Sequence, residues 1–514
     1  MNFDQRKQQL DAAEQIVFDA VVVGGGISGA VVFRHLAEQG YRVLLLEKGD
    51  FAGGTSQSSA MMVWGNLTDL RTLSLLKVGR SCALRETLIR KKSDWVFPQK
   101  FRYLPVKNGR KPLSSSAAFY TYWLLGAGRR TFPRYRENYA ESAFLKNENF
   151  AYSFEYEEAV VEPSDARFVL SWILNQSDSL EQTALNYCRL DGGYYNFAEK
   201  CWCLEITDLI CDKEVIVKTK SVINAAGVWT DSLNCLFGIT SPYKHVFGKG
   251  VFLGIKRPAE HHSTLMIETR ESEGCLALIP WGQISLWGPT ETRVSSPDEG
   301  FSVTPEDVSF LLYQLNRHLS ASVSTKDIVS LRCGIRPLPV EPTFSETDST
   351  LCVPRDYKIH ADSNLPWISI YGGKLTSCVM AAKRVESLLK NFNLTPGLIK
   401  QNSSSFDISR PELESYPNLY EKVPSARWCA EKEKCWKLED YLRRRTNISQ
   451  WIKRGGLGAN NEHLPHLRNL TAIFGGSDEN KINEIIKAYQ QKIGREFDEV
   501  LGCVDILYSS ITTS

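Results

Sequence analysis

FDAVVVGGGISGAVVFRHLAEQGYRVLLLEK, residues 18–48, is the stretch whose reading decides the fold. Ala20 to Val23 is an apolar run suited to a strand buried on both faces. Gly24-x-Gly26-x-x-Gly29 follows, then a helical pattern through Gln39 and a second apolar strand, Val43 to Leu46, ending on Glu47. Gly24 lets the chain turn off the strand, Gly26 lets backbone approach a pyrophosphate, and Gly29 lets the helix pack close to the sheet. The helix start offers unpaired N–H groups and a partial positive charge to phosphates. Glu47 stands where an acid accepts hydrogen bonds from a ribose. The order strand, glycines, helix, strand and acid separates this stretch from a chance glycine spacing. Its position near the N-terminus favours FAD over NAD.

Outward from this unit, Phe51 to Ser59 (FAGGTSQSS) is a small-residue loop whose hydroxyls and N–H groups, those of Thr55 and Ser56 among them, are placed to line phosphates and the flavin edge. Ser28 in the glycine turn and Lys48 after the acid join the candidate cofactor set. Leu70, Leu73, Leu76, Leu84 and Leu88 predict a helix over 67–92. Tyr120 to Ala127 is aromatic and apolar, and Arg129, Arg130, Arg134 and Arg136 after it read first as a solvated face, with a membrane-surface contact or an anionic pocket as the alternatives. Strands are expected at 156–161, 184–187, 202–207 and 214–218, the last two as a hairpin, with a helix opened by Ser164-x-x-Arg167. VINAAG (222–227) is a returning buried strand, and Gly227 allows close approach to the cofactor. A mostly antiparallel region follows, with strands at 250–255, 264–268, 275–280 and 284–288 and a helix at 304–319. Ile368 to Tyr371 leads into a second Gly-rich turn, where Gly373, Lys374, Leu375 and Thr376 are placed to meet the flavin ring. Ala426 to Arg445 and Glu479 to Gly494 are expected helices.

These readings give an α/β fold: an FAD-binding, Rossmann-like doubly wound sheet, a mixed or antiparallel substrate domain and a helical C-terminal domain. The FAD-binding domain is expected in three parts, 1–90, 151–235 and 351–395. Residues 91–150 form an irregular substrate-side insertion, 236–350 the antiparallel substrate domain, 396–425 a linker and 426–514 the helical domain.

A net charge of +2 in 514 residues gives no electrostatic case for nucleic acid or an acidic membrane as the main partner, and no run of 18 apolar residues suggests a spanning helix. The polar first 15 residues lack the apolar core of a secretory signal and read as a surface helix. Thirteen cysteines with no CxxC pair read as reduced thiols of a cytoplasmic protein. The histidines form no metal pattern, and His261 and His262 fall in a polar loop expected to be solvated.

With these motifs placed, the chain resembles the FAD-dependent glycerol-3-phosphate dehydrogenase family within the D-amino-acid-oxidase-like flavoproteins. The matching pieces are GGGISGA (24–30), LLLEKGDFAGGTSQSS (44–59), INAAGVWTD (223–231), IPWGQISLWGPTET (279–292), GIRPL (334–338), RDY (355–357), YGGKLTS (371–377) and LEDYLRRRT (438–446). The resemblance implies oxidation of a secondary alcohol of a small-molecule substrate by hydride transfer to flavin, with electrons passed to a membrane quinone. It also implies peripheral membrane contact, for which the stretch 120–136 is the candidate, while the near-neutral charge equally suits a soluble enzyme with oxygen or a carrier as acceptor. Arg336, Arg355 and Lys374 fall on the family's substrate-pocket positions and are the candidate catalytic residues.

The other side of that pocket departs from the pattern. Where the family has SKLIHGGLRYL this chain has AMMVWGNLTDL (60–70), so its lysine, histidine and arginine become Met61, Trp64 and Thr68. The KGSH segment becomes Lys249-Gly250-Val251-Phe252, which removes a second histidine. Loss of a bidentate arginine contact to phosphate costs about 1.5–3 kcal/mol, about one to two decades in binding. The sequence therefore leaves several readings open. One is a dehydrogenase for a larger or more apolar alcohol held by Arg336 and Arg355, its pocket lined by Met61, Met62, Trp64 and Phe252, with His245 as a candidate base. Another is an amine or imine oxidoreductase, whose neutral donor needs no base. A third is a flavin-binding protein with degraded catalysis, against which the retained Lys374 argues. A fourth is glycerol 3-phosphate itself, contacted through Arg71.

Overall fold

The computed structural model describes residues 3–512 except 73, 108, 138–142, 175–178, 270–274, 298–300, 345–352, 354, 398–406 and 477. Ala20–Val23 lies inside a six-stranded sheet. From one edge the strands run Lys358–Ala361, Trp367–Tyr371, Val222–Asn224, Ala20–Val23, Val43–Glu47 and Gln182–Asn186, all pairs parallel except the first. The continuous apolar run has a direct cause. Ala20, Val22, Val43, Leu45 and Ile223 face one hydrophobic core, while Val21, Leu44, Leu46 and Val222 face another. With period-two side chains and both faces covered, no position in the strand is left for a polar residue. Each such Val or Leu contributes about 1.5–3 kcal/mol by leaving water.

The first core is closed by helices Ile27–Glu38 and Cys378–Asn391, which pack against each other. The second is closed by a four-stranded sheet that contains the expected hairpin, Cys201–Asp208 with Lys213–Thr219. Helix Phe3–Gln15 docks on that sheet. It is more than a surface helix, because Leu10 is buried and Arg6 is sealed against Asp208, Nε to Oδ2 at 2.7 Å.

A ten-stranded sheet forms the substrate side. Its longest pair is Lys244–Lys256 with Ile328–Val340, antiparallel from Lys244↔Val340 to Ile255↔Ile328. Two expectations change here. Residues 91–150 are not irregular throughout, since they hold strand Val96–Leu104 and helix Pro112–Leu125. Ser153–Val161, expected with the nucleotide-binding part, pairs instead with Val96–Leu104 in the large sheet.

The C-terminal region is helical. Ala426 to Arg445 is not one helix: Ala426–Lys432 ends, and a π-helical turn forms over Asp440–Arg445. The break is set by tertiary contacts. Buried Glu433 takes the Arg167 guanidinium at 2.6 Å, and Lys434, with φ of +51°, sends its Nζ to Ala184 O at 2.7 Å. Helices Leu464–Gly475, Glu479–Ile493 and Glu499–Thr512 complete the chain.

Candidate active site

The three glycines earn their places by close approach. Gly24 has φ of +113°, and a Cβ there would meet Ala225 O at 2.4 Å. A Cβ on Gly29 would stand 1.9 Å from Gly24 O, so the helix packs on the turn only as glycine. Gly26 precedes helix Ile27–Glu38, with Ser28 in its first turn, and Ser56 Oγ accepts the Ile27 N–H at 2.9 Å. A loop hydroxyl thus marks the point where the helix offers its free donors. Glu47 is held at both oxygens, by Gly25 N–H at 2.7 Å and Gly49 N–H at 2.8 Å, and burial raises its pKa. Lys48 Nζ lies 3.8 Å from the centre of the Trp229 ring.

The loop after the second strand is tied to the substrate sheet. Thr55 Oγ1 donates to Ile335 O at 2.6 Å. Ser59 donates to Asp165 Oδ2 through N–H and Oγ, at 2.8 and 2.9 Å, and Arg332 donates to Ser59 O and the same carboxylate. A Cβ on Gly334 would meet Ser58 Cβ at 2.7 Å. Gly227 has φ of +60° and nothing within 4 Å of where its Cβ would stand, so a substitution there would project into open space.

The second Gly-rich turn also sits against this sheet. Gly372 (φ +62°) approaches Pro337 and Pro339, and Gly373 (φ +115°) lies beside Tyr357. A short 3₁₀ turn, Leu375–Ser377, follows, with Thr376 buried and Lys374 half-buried at its start. His245 belongs to this turn as a structural group. Its Nε2 accepts the Gly372 N–H at 3.2 Å, and its Nδ1 lies 3.2 Å from Asp231 Oδ2. Nε2 is thus committed to the turn, while Nδ1 is buried without a hydrogen-bond partner among the described residues.

Arg336 and Arg355 are brought together, but a residue the sequence did not single out holds them. Glu291 Oε2 accepts from Arg336 NH1 at 2.7 Å and from Arg355 NH2 at 3.3 Å. Burial lowers the Arg336 pKa and the carboxylate opposes that shift. Glu291 lies in the quoted segment 279–292, and Gly248-x-Gly250 was a further signal, since alternate glycines leave one strand face bare.

Met61 is buried with φ of +56°, a conformation rare for a methionine, and its carbonyl accepts the Val161 N–H at 2.7 Å. Phe252 is buried, and Trp64 is half-buried with its indole N–H lacking an acceptor among the described residues. Below them Glu158 accepts from Arg85 NH1 at 2.6 Å, from Tyr122 and from Gly65 N–H at 3.3 Å. The Arg71 side chain lies outside the described residues.

Two surface expectations also change. His261 is buried, its Nδ1 2.7 Å from Ser285 Oγ, and burial pushes its pKa down to about 4, while His262 is exposed. Arg130 pairs with Glu86 at 2.9 Å and Glu157 at 3.1 Å, whereas Arg129, Arg134 and Arg136 are exposed.

The family model for FAD dependent oxidoreductases (DAO) matches residues 19–379. The chain belongs to this family. The flavoprotein is 28% identical over 370 residues to the aerobic glycerol-3-phosphate dehydrogenase of Escherichia coli (strain K12), covering 70% of each chain. It is 25% identical over 388 residues to the D-erythritol 1-phosphate dehydrogenase of Brucella abortus (strain 2308), covering 74% of this chain and 75% of that one. Its fold matches the Bacillus halodurans glycerol-3-phosphate dehydrogenase complexed with FAD at a TM-score of 0.70 and 17% identity, over 97% and 98% of the two chains. The residues present fit the cofactor. The helix start beside Gly26 and Ser56, the anchored Glu47 and the open side of Gly227 are what a dinucleotide needs. Among the described residues no group of three or more His, Cys, Asp or Glu is placed to hold a metal ion.

Proposed function

We propose that this flavoprotein oxidises a small alcohol that carries an anionic group, with Arg336 and Arg355 holding that group and Lys374 beside them. The observation that carries this reading is the meeting of two guanidiniums at Glu291 next to the Gly372–Gly373 turn. Arg336 supplies a planar fork of donors that matches a carboxylate or phosphate. Bound FAD supplies the acceptor for the two electrons that leave the carbinol carbon. Gly24, Gly26, Ser28, Gly29, Glu47, Lys48, Thr55, Ser56, Gly227, Gly373, Leu375 and Thr376 are the residues we assign to holding it. Met61, Trp64 and Phe252 line the other wall and exclude water from the carbinol.

A second reading, an amine donor, is supported by one observation. Trp64 and Phe252 stand where bases were expected, and His245 Nε2 is committed to the turn. An alcohol must surrender its hydroxyl proton as it is oxidised, and a neutral amine need not. Anaerobic mixing of the yellow holoenzyme with hydroxy acids, polyol phosphates and primary amines tests both readings. We expect the flavin absorbance to bleach with a hydroxylated anion and the Arg336→Met variant to need a higher concentration. Bleaching by amines alone selects the second reading.

The electrons' exit lies, in this reading, at a lipid surface. Among the described residues no helix is long and apolar enough to cross a membrane. Helix Pro112–Leu125 contains no charged residue and exposes Leu113 (83%) and Leu124 (67%), with Phe132 and three exposed arginines nearby in sequence. Co-sedimentation with anionic vesicles that weakens as salt rises would support this contact. Sedimentation unaffected by vesicles at low salt would sink it.

A further inference from the structure

Resting on the reading that Arg336 and Arg355 hold the anionic end of the donor, we propose that Glu291 sets which anion they accept. Its carboxylate occupies part of the seat, so the pocket takes a donor ending in a singly charged carboxylate and disfavours a phosphate dianion.

The geometry supports this in three steps. First, one oxygen of Glu291 takes a hydrogen bond from each arginine, at 2.7 and 3.3 Å, the position an oxygen of a bound anion would otherwise fill. Second, the arrangement is built into the backbone. Gly248 and Gly250 lie on one face of strand Lys244–Lys256, opposite Arg336 and Gly334. A Cβ on Gly248 would stand 2.5 Å from Glu291 Oε1, and a Cβ on Gly250 would stand 2.6 Å from Arg336 NH2. The two bare positions form a bed for the carboxylate and the guanidinium. Glu291 Oε1 is shielded there with no hydrogen-bond partner among the described residues, and the side chain is only 13% exposed. Third, the charges count. Within the hydrogen-bonded cluster itself, two guanidiniums and one carboxylate leave a single net positive charge. A phosphate ester carries close to two negative charges at neutral pH. Its second charge would face Glu291 at hydrogen-bond distance in a partly buried site, where like charges repel more strongly than in water.

Two nearby cations are neutralised by partners of their own. Lys249, on the opposite face of the same strand, is buried against Asp307 at 2.6 Å. Arg332, two positions before Gly334, is held by Asp165 at 2.5 Å. Thr68 stands where an arginine was expected.

The test uses the FAD-bound enzyme at fixed ionic strength, with inorganic phosphate and acetate as the two probes and the shift of the flavin spectrum as the signal. The wild type should bind acetate more tightly than phosphate. Glu291→Gln should tighten phosphate by about tenfold or more and acetate by less than about threefold. Gly248→Ala is a second, independent variant: its new Cβ displaces the carboxylate and should shift the preference the same way. A wild type that prefers phosphate, or an unchanged phosphate-to-acetate ratio in both variants, overturns the proposal. Arg336→Met separates this failure from failure of the underlying reading. If it weakens both anions while the Glu291 and Gly248 variants change nothing, the seat stands and its selectivity filter does not. If it alters neither anion, the seat itself is wrong.

Discussion

Two carboxylates in this molecule lie between arginines, and they are built for opposite ends. Asp50, at the junction of the nucleotide-binding sheet with the C-terminal helices, has both oxygens filled. Oδ2 takes Arg444 Nε at 2.6 Å and Arg445 NH1 at 2.7 Å, while Oδ1 takes Arg445 NH2 at 2.9 Å and Asn186 Nδ2 at 2.8 Å. Asp50 and Arg445 side chains are fully buried. Glu291 shares one oxygen between two arginines whose side chains are 24% and 43% exposed, and its other oxygen has no partner among the described residues. A saturated, dry cluster fixes how two parts of a chain meet. An unsaturated cluster at the edge of water can still exchange partners, which a binding site requires. Arginine count alone does not tell the two apart.

The largest effect that would break this contrast is at the junction. Arg445→Met should destabilise the protein by about 3–5 kcal/mol, because it leaves Asp50 buried with fewer partners. Denaturant unfolding reads this directly, and a loss below 1 kcal/mol would mean the junction is not the clasp its geometry suggests. Arg336→Met at the site should weaken anion binding by about one to two decades and move the unfolding midpoint little, since water reaches that guanidinium. A large drop in stability would make Arg336 a structural residue and erase the distinction.

Acid sharpens the comparison further. Asp50 has its pKa lowered to about 2, with the coulombic pull of Arg445 and Arg444 outweighing the opposing effect of burial. A carboxylate depressed in the folded state contributes stability that is complete above its ordinary value near 4 and is lost as pH falls through about 2. His261 in the substrate sheet behaves differently. Its folded pKa of about 4, set by burial, lies below the ordinary 6.5, so the unfolded chain binds its proton first. Stability therefore falls as pH drops from 6.5 toward 4, by up to about 1.4 kcal/mol per pH unit from this site. Hydrogen exchange at pH 5 should show the substrate sheet loosening before the junction, and His261→Asn should flatten that dependence. The smallest effect is expected at Gly227. Gly227→Ala strains a φ of +60° at a cost of about 1 kcal/mol and places a methyl in the open space assigned to the cofactor. Lower FAD content with a nearly unchanged fold is the expected outcome, measured by flavin absorbance per protein.

What was legible in the chain follows from range. The unit at 18–48 could be read because strand, turn and helix are encoded within a few residues of one another, and their burial alternates as a doubly covered sheet demands. The strand Ile328–Val340 was not anticipated, because Pro337 and Pro339 argue against a ladder, yet they lie opposite Phe247 and His245 in a paired strand. The 426–445 helix broke because Glu433 and Lys434 answer to Arg167 and Ala184, contacts no local pattern carries. At the site, the position of Arg336 was legible from GIRPL, but its partner was not, since Glu291 precedes it by 45 residues and reaches it only across the bare face of a third strand.

The saturation of Asp50 also sets a clock on the newborn chain. Its arginine partners are synthesised 394 and 395 residues later. At roughly 5–20 residues per second, the ribosome leaves that carboxylate waiting for about 20–80 s. Until then the nucleotide-binding half must keep Asp50 wet, with the face that will meet the last helices still open. A chain stopped before residue 426 should therefore be a substrate for chaperones and proteases, whatever the quality of its glycine turn.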